Sequence, residues 1–477
     1  MDRPARAPVR FLVPLALVAA VLLAAGVARG GPPGTWTRIT DPTAHNIDQL
    51  GLARTADGVL HVAWLRQAGT QTDLVASAVS PAGSVVGSPA TIVGGWATLT
   101  NPALVVQPDG SLLALFAGVR STDTSDPYSG GTVYSATAPA AGTAWTLAPG
   151  SAAPPSSAYA SDDVGAAVAG GGAVVTSWAT TFGTDVHVGL DSATPSLQLQ
   201  SSCCGYQTAL GVDGATGAVL LGWYSNASDG QGIYAQTVAP SQGPRWAAPG
   251  SVTTYNGQPS SLSVDQVVAV SGRHGAAGVY LGYVSGYPTA RTVDLWRAGD
   301  AKPAAVVAAE DARHVALAPG PQGRLWLVWD AHGVVFATRT NKAATRLGPV
   351  SQIKPPPGTE TIYKTRGEGS PGPLDLFVLA AAGNGTLAAW HTQVLPRLTL
   401  AAQPASFAAR TGATVVLTVA DAGDPVAGAT VKVSGHTLVT NAQGKATLSV
   451  PRGAPRRLSA IAARAGYTGA SATIRAR

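Results

Sequence analysis

The chain carries DGVLHVAW at residues 57–64, a tight-turn signal followed by alternating apolar residues and a terminal aromatic residue. Asp-Gly is a strong signal for a hairpin turn, and the alternation predicts a β-strand with one buried face. Six further copies of this pattern follow along the chain. They are DGSLLALF at 109–116, GGAVVTSW at 171–178, TGAVLLGW at 216–223, GVYLGY at 278–283, QGRLWLVW at 322–329 and GTLAAW at 385–390.

The spacing of these copies predicts an all-β fold built as a β-propeller. Their aromatic residues recur about every 45 to 62 residues, which is the period range of propeller-type arrays. Four antiparallel strands per repeat, arranged radially, form a propeller blade. We expect seven blades over residues 35–395, or six if the repeat around 263–297 is incomplete. The last repeat ends near Pro396, so we expect the segment at 34–39 to complete it and close the ring.

The N-terminal segment has the pattern of a secretory signal peptide. Three arginines precede an apolar run at 11–28 that ends in small residues. We expect residues 1–28 to be removed and residues 29–34 to act as a spacer. The protein would then be secreted or displayed at the cell surface, without a transmembrane span. The apolar run is nearly long enough to cross a bilayer, so an uncleaved N-terminal anchor is the alternative.

Residues 397–477 differ from the repeats in both pattern and charge. They hold ten Lys and Arg residues against two Asp. The stretches PVAGATV at 425–431, TNAQGKATL at 440–448 and AGY at 465–467 resemble bacterial immunoglobulin-like (Ig-like) and carboxypeptidase-regulatory-like modules. That resemblance implies a small β-sandwich used for spacing, adhesion or surface display, without catalysis. The basic charge is suited to an anionic cell-surface polymer as partner, but solubility or docking onto the acidic neighbour also explains it, and nucleic acid is not expected.

Polar residues recur about ten positions before most of the turns, where the inner strand of each blade should begin. In a propeller these strand starts meet at one mouth of the central channel, so we expect a ligand there, with a glycan as the first candidate. A channel that is simply filled with water would also be polar. The predicted ligand-binding residues are Asp48, Gln49, Asn101, Asp162, Asp163, Cys203, Cys204, Tyr206, Gln207, Arg313, His314 and Asp375.

Four of these carboxylates, Asp48, Asp162, Asp163 and Asp375, could together hold Ca²⁺. No contiguous calcium-binding loop accompanies them, so we expect no metal or cofactor.

The only two cysteines, Cys203 and Cys204, are adjacent in the chain. An oxidising compartment favours a disulfide between them. Neighbouring Cα atoms are about 3.8 Å apart, below the usual disulfide range of roughly 4.4–6.8 Å, so this bond would be strained. Beside Tyr206 it would form a rigid platform for a sugar ring; a stiffened loop without a ligand is the alternative.

Residues 35–395 also resemble the sialidase-type propellers of secreted bacterial proteins, which carry BNR (Asp-box) repeats. The resemblance rests on GTW at 34–36 and GTAW at 142–145, degenerate Asp-box turns that lack the Ser and Asp of the motif. Sialidases need an arginine triad, a Tyr–Glu nucleophile pair and an acidic Asp. Glu360 with Tyr363, or Glu368, could supply the pair, but we find no triad. We therefore predict binding without catalysis, with a sialidase-like glycoside hydrolase and an adhesive, protein-binding propeller as alternatives.

Overall fold

The structure is a computed structural model that is all-β. It describes residues 33–40, 50–99, 102–120, 132–149, 164–180, 183–189, 196–200, 205–225, 232–251, 269–286 and 289–477. Within these ranges, the only helical segment is one turn of 3-10 helix at Pro321–Gly323. No helix in this part of the chain is long and apolar enough to cross a membrane.

Seven antiparallel blades of four strands follow one another along the chain, and we number them as blades 1 to 7. Five of them are separate four-stranded sheets, whereas blades 1 and 2 are joined into one eight-stranded sheet, because residues 96–99 at the end of blade 1 pair with the second strand of blade 2. Blade 1 contains β2 (Gly51–Arg54), β3 (Leu60–Ala68), β4 (Gln71–Val79) and β5 (Val85–Leu99), and blade 2 contains β6 (Ala103–Val106), β7 (Leu112–Arg120), β8 (Thr132–Ala138) and β9 (Thr146–Leu147). Blade 3 contains β10 (Gly165–Val168), β11 (Val174–Thr180), β12 (Gly183–Val188) and β13 (Leu197–Gln200). Blade 4 contains β14 (Gly205–Val212), β15 (Val219–Ser225), β16 (Gly232–Ala239) and β17 (Arg245–Ala247).

The remaining three blades have the same strand order. Blade 5 contains β18 (Ala269–Arg273), β19 (Ala276–Ser285), β20 (Thr292–Arg297) and β21 (Ala305–Ala308), and blade 6 contains β22 (Arg313–Pro319), β23 (Leu325–Ala331), β24 (Val334–Arg339) and β25 (Ser351–Ile353). Blade 7 contains β26 (Thr359–Glu368), β27 (Leu374–Ala382), β28 (Leu387–Val394) and the N-terminal strand β1 (Thr37–Arg38).

The two ends of the propeller meet in blade 7. Strand β1 pairs antiparallel with β28, with Thr37 opposite His391 and Arg38 opposite Trp390. The predicted closure by the N-terminal segment is therefore confirmed. Closure removes the two open sheet edges that a linear array of blades would expose.

The first strand of each blade lines a narrow axial channel of about 200 Å³. Each of the seven inner strands contributes to its wall, which confirms the count of seven blades. The wall is mainly aliphatic and glycine, because the inner strands approach one another closely. At Gly272, for example, an added Cβ would lie 1.6 Å from the carbonyl oxygen of Val212 on the neighbouring inner strand.

The aromatic residues of the repeat motif form the cores between blades, and those of the first six repeats are at most 3% exposed. They are Trp64, Phe116, Trp178, Trp223, Tyr283 and Trp329. Their burial supports a packing role for the repeated aromatic position.

In blade 7 the predicted register is wrong. The turn at Asn384–Gly385 joins β27 to β28, whereas the repeat turns of blades 1 to 4 and 6 join the first strand to the second. Phe377 on β27 therefore fills the buried aromatic position, and Trp390 lies on the third strand. Asp375 consequently lies on the second strand and does not begin an inner strand. In blade 5 the predicted turn residue Gly278 lies within β19, and the turn is formed by His274 and Gly275.

Residues 397–477, which we call the C-terminal module, form two packed sheets. The first sheet contains β29 (Thr399–Gln403), β31 (Ala413–Asp421), β32 (Asp424–Pro425) and β35 (Lys445–Val450). The second contains β30 (Ser406–Phe407), β37 (Ala470–Ala476), β36 (Arg457–Ala463), β33 (Thr430–Val433) and β34 (His436–Val439). Buried and exposed residues alternate strictly along β35 and β36, as expected for strands with one face in a sandwich core.

The module docks on blade 6 through ion pairs, of which those of Asp421 are buried and that of Asp424 is partly exposed. Oδ2 of Asp421 lies 2.5 Å from Nη2 of Arg339 and 3.3 Å from Nε of Arg324. Oδ2 of Asp424 lies 2.5 Å from Nη2 of Arg324. The only two acids of the module thus pair with propeller arginines. A basic module docked on an acidic propeller would have the charges the other way round.

Candidate functional site

The propeller has two faces, which the antiparallel order of the strands distinguishes. Inner strands begin at one face, which we call the entry face. The turns between first and second strands lie at the opposite face, which we call the docking face. The module pairs with Arg324 beside one such turn, and its Tyr467 lines a cavity together with Gly372 of another, so the module docks at the latter face. The predicted ligand mouth lies at the entry face, away from this junction.

Most of the predicted ligand-binding residues fall outside the described residues. They are Asp48, Gln49, Asn101, Asp162, Asp163, Cys203 and Cys204. Described residues that follow three of these segments, Leu50, Pro102 and Val164, line the axial channel. Tyr206 and Gln207 lie on β14, where a β-bulge separates Tyr206 from Ala209. The ligand-binding role of these nine residues and the disulfide stay predictions.

Blade 6 presents the best-described polar group of the entry face. A β-bulge between Arg313 and Ala316 interrupts the start of β22, leaving Arg313 exposed. Nδ1 of His314 lies 2.6 Å from Oδ1 of Asp330 on the adjacent strand β23. The hydroxyl of Thr365 on β26 donates to the carbonyl oxygen of His314. The imidazole of His314 is therefore oriented from one side by a carboxylate, and its backbone is tied to blade 7.

The backbone at this corner of the entry face is strained. Asp311, His314 and His332 have φ values of +53°, +47° and +50°, in the left-handed region that residues other than glycine rarely adopt. Such conformations cost about 1–3 kcal/mol each and are concentrated at functional sites. Nε2 of His332 lies 3.8 Å from Oδ2 of Asp311, so a second His–Asp pair stands beside the first.

The chemistry of this corner suits the binding of a polar ligand. Asp330 is 5% exposed, so it holds the imidazole of His314 without itself facing bulk solvent. Arg313 offers a planar guanidinium with several donors, which matches carboxylate, phosphate and sugar hydroxyl oxygens. Tyr363, two residues before Thr365 on β26, is 47% exposed and supplies an aromatic surface nearby.

Asp330 and His332 were not in the predicted set. Asp330 directly follows Trp329, at a position where the other repeats carry Leu65, Ala117, Ala179, Tyr224, Val284 and His391. A carboxylate after the motif aromatic in one repeat alone was a sequence signal that could have identified it. His332 lies in the turn after β23, for which the repeat pattern makes no prediction.

Asp375 belongs to a different network, which corrects its predicted place at the ligand mouth. Its carboxylate accepts hydrogen bonds from Nη2 of Arg54, Nε2 of His391 at 2.9 Å and Nε2 of Gln393 at 3.1 Å. Nε of Arg54 also pairs with Glu368. Arg54 ends β2 of blade 1, and Asp375 and Glu368 flank the first turn of blade 7. The network therefore joins the first blade to the last near the docking face.

Burial raises the pKa of Asp375, but hydrogen bonding and charge outweigh it. The hydrogen bond and charge of His391, then Arg54 and Gln393, stabilise the carboxylate, so its pKa lies below the usual value. This residue is 2% exposed and already has three donors, so it is not available to the Ca²⁺ set considered from the sequence. Within the ranges that the structure describes, no cluster of three metal-ligating side chains occurs.

The residues considered for sialidase chemistry are divided between the two faces. Glu368 is paired with Arg54 near the docking face, so it cannot serve a ligand at the entry face. Glu360 and Tyr363 are both exposed near the start of β26, at the entry face. Among the inner strands as far as the structure describes them, only β22 begins with an arginine, Arg313.

No protein-family model matches the chain, and no curated protein matches it. Among solved structures it is similar to a Hadza microbial sialidase, with 10% identity and a TM-score of 0.44, covering 72% of this chain and 65% of the sialidase. A polysaccharide lyase shows 11% identity and a TM-score of 0.41, covering 72% of this chain and 88% of the lyase.

A Trypanosoma rangeli sialidase mutant that displays trans-sialidase activity shows 9% identity and a TM-score of 0.43, covering 77% of this chain and 60% of the mutant. The chain thus spans less than two thirds of the length of either sialidase. At these identities and TM-scores the similarities carry no argument about activity.

Proposed function

We propose that this protein is an exported binding protein that holds a glycan on the entry face of its propeller. The C-terminal module would act as an Ig-like spacer that holds the propeller at a distance from the cell surface. The signal-peptide pattern supports export, and the basic charge of the module supports a location at an anionic surface.

The observation that carries this proposal is the strained group on blade 6. The backbone of His314 adopts a left-handed conformation, and its imidazole is hydrogen bonded to a nearly buried carboxylate. Arg313 stands exposed beside it. Strained backbone conformations are concentrated at functional sites, where they hold a side chain in one orientation. A side chain that is already oriented loses less entropy when it binds a ligand, so such preorganisation favours binding.

Two substitutions test this assignment. Arg313→Ala removes the guanidinium, and His314→Asn removes the imidazole while keeping a residue type that tolerates the left-handed conformation. A hydrogen bond to a charged group contributes about 1.5–3 kcal/mol, so Arg313→Ala should weaken glycan binding by roughly 10- to 150-fold. Lys302→Ala, at an exposed position in the turn between β20 and β21, is the matched control and should bind as the parent does.

The measurement is a glycan array followed by calorimetry on the best ligand. If both entry-face variants bound the glycan with unchanged affinity, blade 6 would not be part of the binding site. Hydrolysis of a fluorogenic sialoside by the parent, abolished by Glu360→Gln or Tyr363→Phe, would replace binding by the glycoside hydrolase alternative. Capture of a protein with no glycan binding would favour the adhesive alternative.

A further inference from the structure

All of the Lys and Arg side chains of the C-terminal module are exposed, whereas both of its acids are held in ion pairs with the propeller. Each of its ten Lys and Arg residues is solvent-exposed. Asp421 and Asp424, its only acids, are committed to Arg324 and Arg339 of the propeller. The free surface of the module therefore presents cationic side chains without acidic side chains of its own to neutralise them.

Six of these arginines lie at one end of the module, which we call the arginine pole. They are Arg410, Arg452, Arg456, Arg457, Arg475 and Arg477. Backbone hydrogen bonds bring their three segments together. The amide of Ala409 donates to the carbonyl of Arg477, that of Gly453 donates to Ala409, and that of Ala476 donates to Arg456.

The arginine pole faces away from the propeller. Strand β31 begins beside the pole at Ala413 and ends in the junction at Asp421. Nine residues of extended strand separate the two ends by roughly 26 Å. A ligand on the pole would therefore touch neither the docking face nor the entry face of the propeller.

Two of these arginines are placed so that they repel each other. Arg457 on β36 lies directly opposite Arg475 on β37 in the antiparallel register, and both are exposed. Like charges in this position destabilise a sheet, so the pair contributes nothing favourable to the fold by itself. A bound anion between them reverses the sign of that interaction.

The shape of this pair favours a tetrahedral oxyanion. A carboxylate has two oxygens in one plane with its carbon substituent, which match one guanidinium fork, whereas the two non-bridging oxygens of a phosphodiester project from a tetrahedral phosphorus and can each face a different guanidinium group. The pole contains only arginine, the residue suited to bidentate phosphate recognition, while Lys432 and Lys445 lie elsewhere on the module. The two exposed large apolar residues of the module, Val439 and Ile461, also lie outside the pole, which disfavours insertion into a membrane.

We propose that the arginine pole binds a phosphodiester-linked anionic polymer of the cell surface and so anchors the protein. This inference goes beyond the proposed function, because it concerns a separate site on the module. It does not require that a glycan bind to the entry face.

The test uses the full chain and inorganic polyphosphate of defined length as the probe. If four phosphates are contacted, with a slope of about 0.7 each, affinity should fall roughly 50-fold between 50 and 200 mM salt. Arg457→Gln with Arg475→Gln should lower affinity at least tenfold and flatten this salt dependence. Lys432→Gln with Lys445→Gln makes the same change in charge away from the pole and should leave affinity within about twofold.

A further pair, Arg457→Lys with Arg475→Lys, separates fork geometry from charge and should lose most of the affinity. Equal loss in the two glutamine pairs would show a diffuse charge effect and overturn the assignment. The proposal would also fail if polygalacturonate or anionic phosphatidylglycerol vesicles bound while polyphosphate did not. Glycan binding at the entry face should be unaffected in every pole variant, so the two proposals fail independently.

Discussion

Removing the carboxylate of Asp421 should undock the C-terminal module from the propeller. Asp421 is 2% exposed and lies between Arg339 and Arg324, which are 4% and 5% exposed. In Asp421→Ala, Arg324 keeps its partner Asp424. Arg339 keeps only its hydrogen bond to the carbonyl of Gly372 and its stacking on aromatic rings, so a buried cation is left without a counter-charge.

Breaking a buried pair by removing one partner costs about 3–5 kcal/mol, and the remaining Asp424 places this case near 3 kcal/mol. The chain can avoid part of that cost by releasing the module, which returns both arginines to water. The measured loss is therefore limited by the free energy of docking. A chain ending at residue 395 exposes the same arginines to solvent and should remain folded.

The assay is thermal unfolding combined with limited proteolysis near Pro396. We expect Asp421→Ala to separate the transitions of propeller and module and to accelerate cleavage between them. Asp421→Asn should behave similarly, because it keeps the shape but removes the charge. Asp300→Asn, at an exposed position, is the matched control. A single unshifted transition in Asp421→Ala, with parental resistance to protease, would refute the role of this ion pair.

Four further predictions concern the closure of the ring, a buried histidine of blade 1, the inner strands and the cysteines. The pKa of Asp375 is lowered in the fold, so its contribution to folding stability is present above the ordinary pKa of 3.8 and is lost as pH falls through the lower folded value. Asp375→Asn should therefore be less stable than the parent at pH 7. In denaturation measured over a series of acidic pH values, the difference in stability between variant and parent should narrow. Burial lowers the pKa of His61 from 6.5, so the parent should lose stability as pH falls below that value, and His61→Gln should show a flatter pH dependence in the same titration. Gly272→Ala should destabilise by about 3 kcal/mol or more, because its Cβ meets backbone, whereas Gly171→Ala, where the added Cβ meets nothing, should be tolerated in urea unfolding. Cys203 and Cys204 should form a disulfide in exported protein, and two free thiols detected by non-reducing mass spectrometry would contradict this. If the variant with Ser at both positions bound a glycan as tightly as the parent, the pair would have no role in ligand binding.

The sequence alone was sufficient for the architecture of the propeller, because each blade repeats one local pattern. A turn followed by an alternating strand and a buried aromatic residue specifies a hairpin, and its recurrence specifies how many hairpins stack. The same reasoning failed in blade 7. There Asn384–Gly385 marks the second turn, whereas the first turn, at 369–373, carries its own signal, Pro371–Gly372, with Gly372 five residues before Phe377. Turn strength by itself does not tell which pair of strands a turn connects.

The ion pairs were decided only by the tertiary structure. His314 and Asp330 are 16 residues apart and meet because a bulge shifts the start of β22 against β23. Asp421 and Arg339 are 82 residues apart and meet only when the module docks. The alternation of apolar and polar residues determines which face of a strand is buried, and this alternation can be read from residues that are close together in the chain. Which charges pair depends on how completed sheets approach one another, and composition alone could not distinguish the two paired acids of the module from its exposed cations.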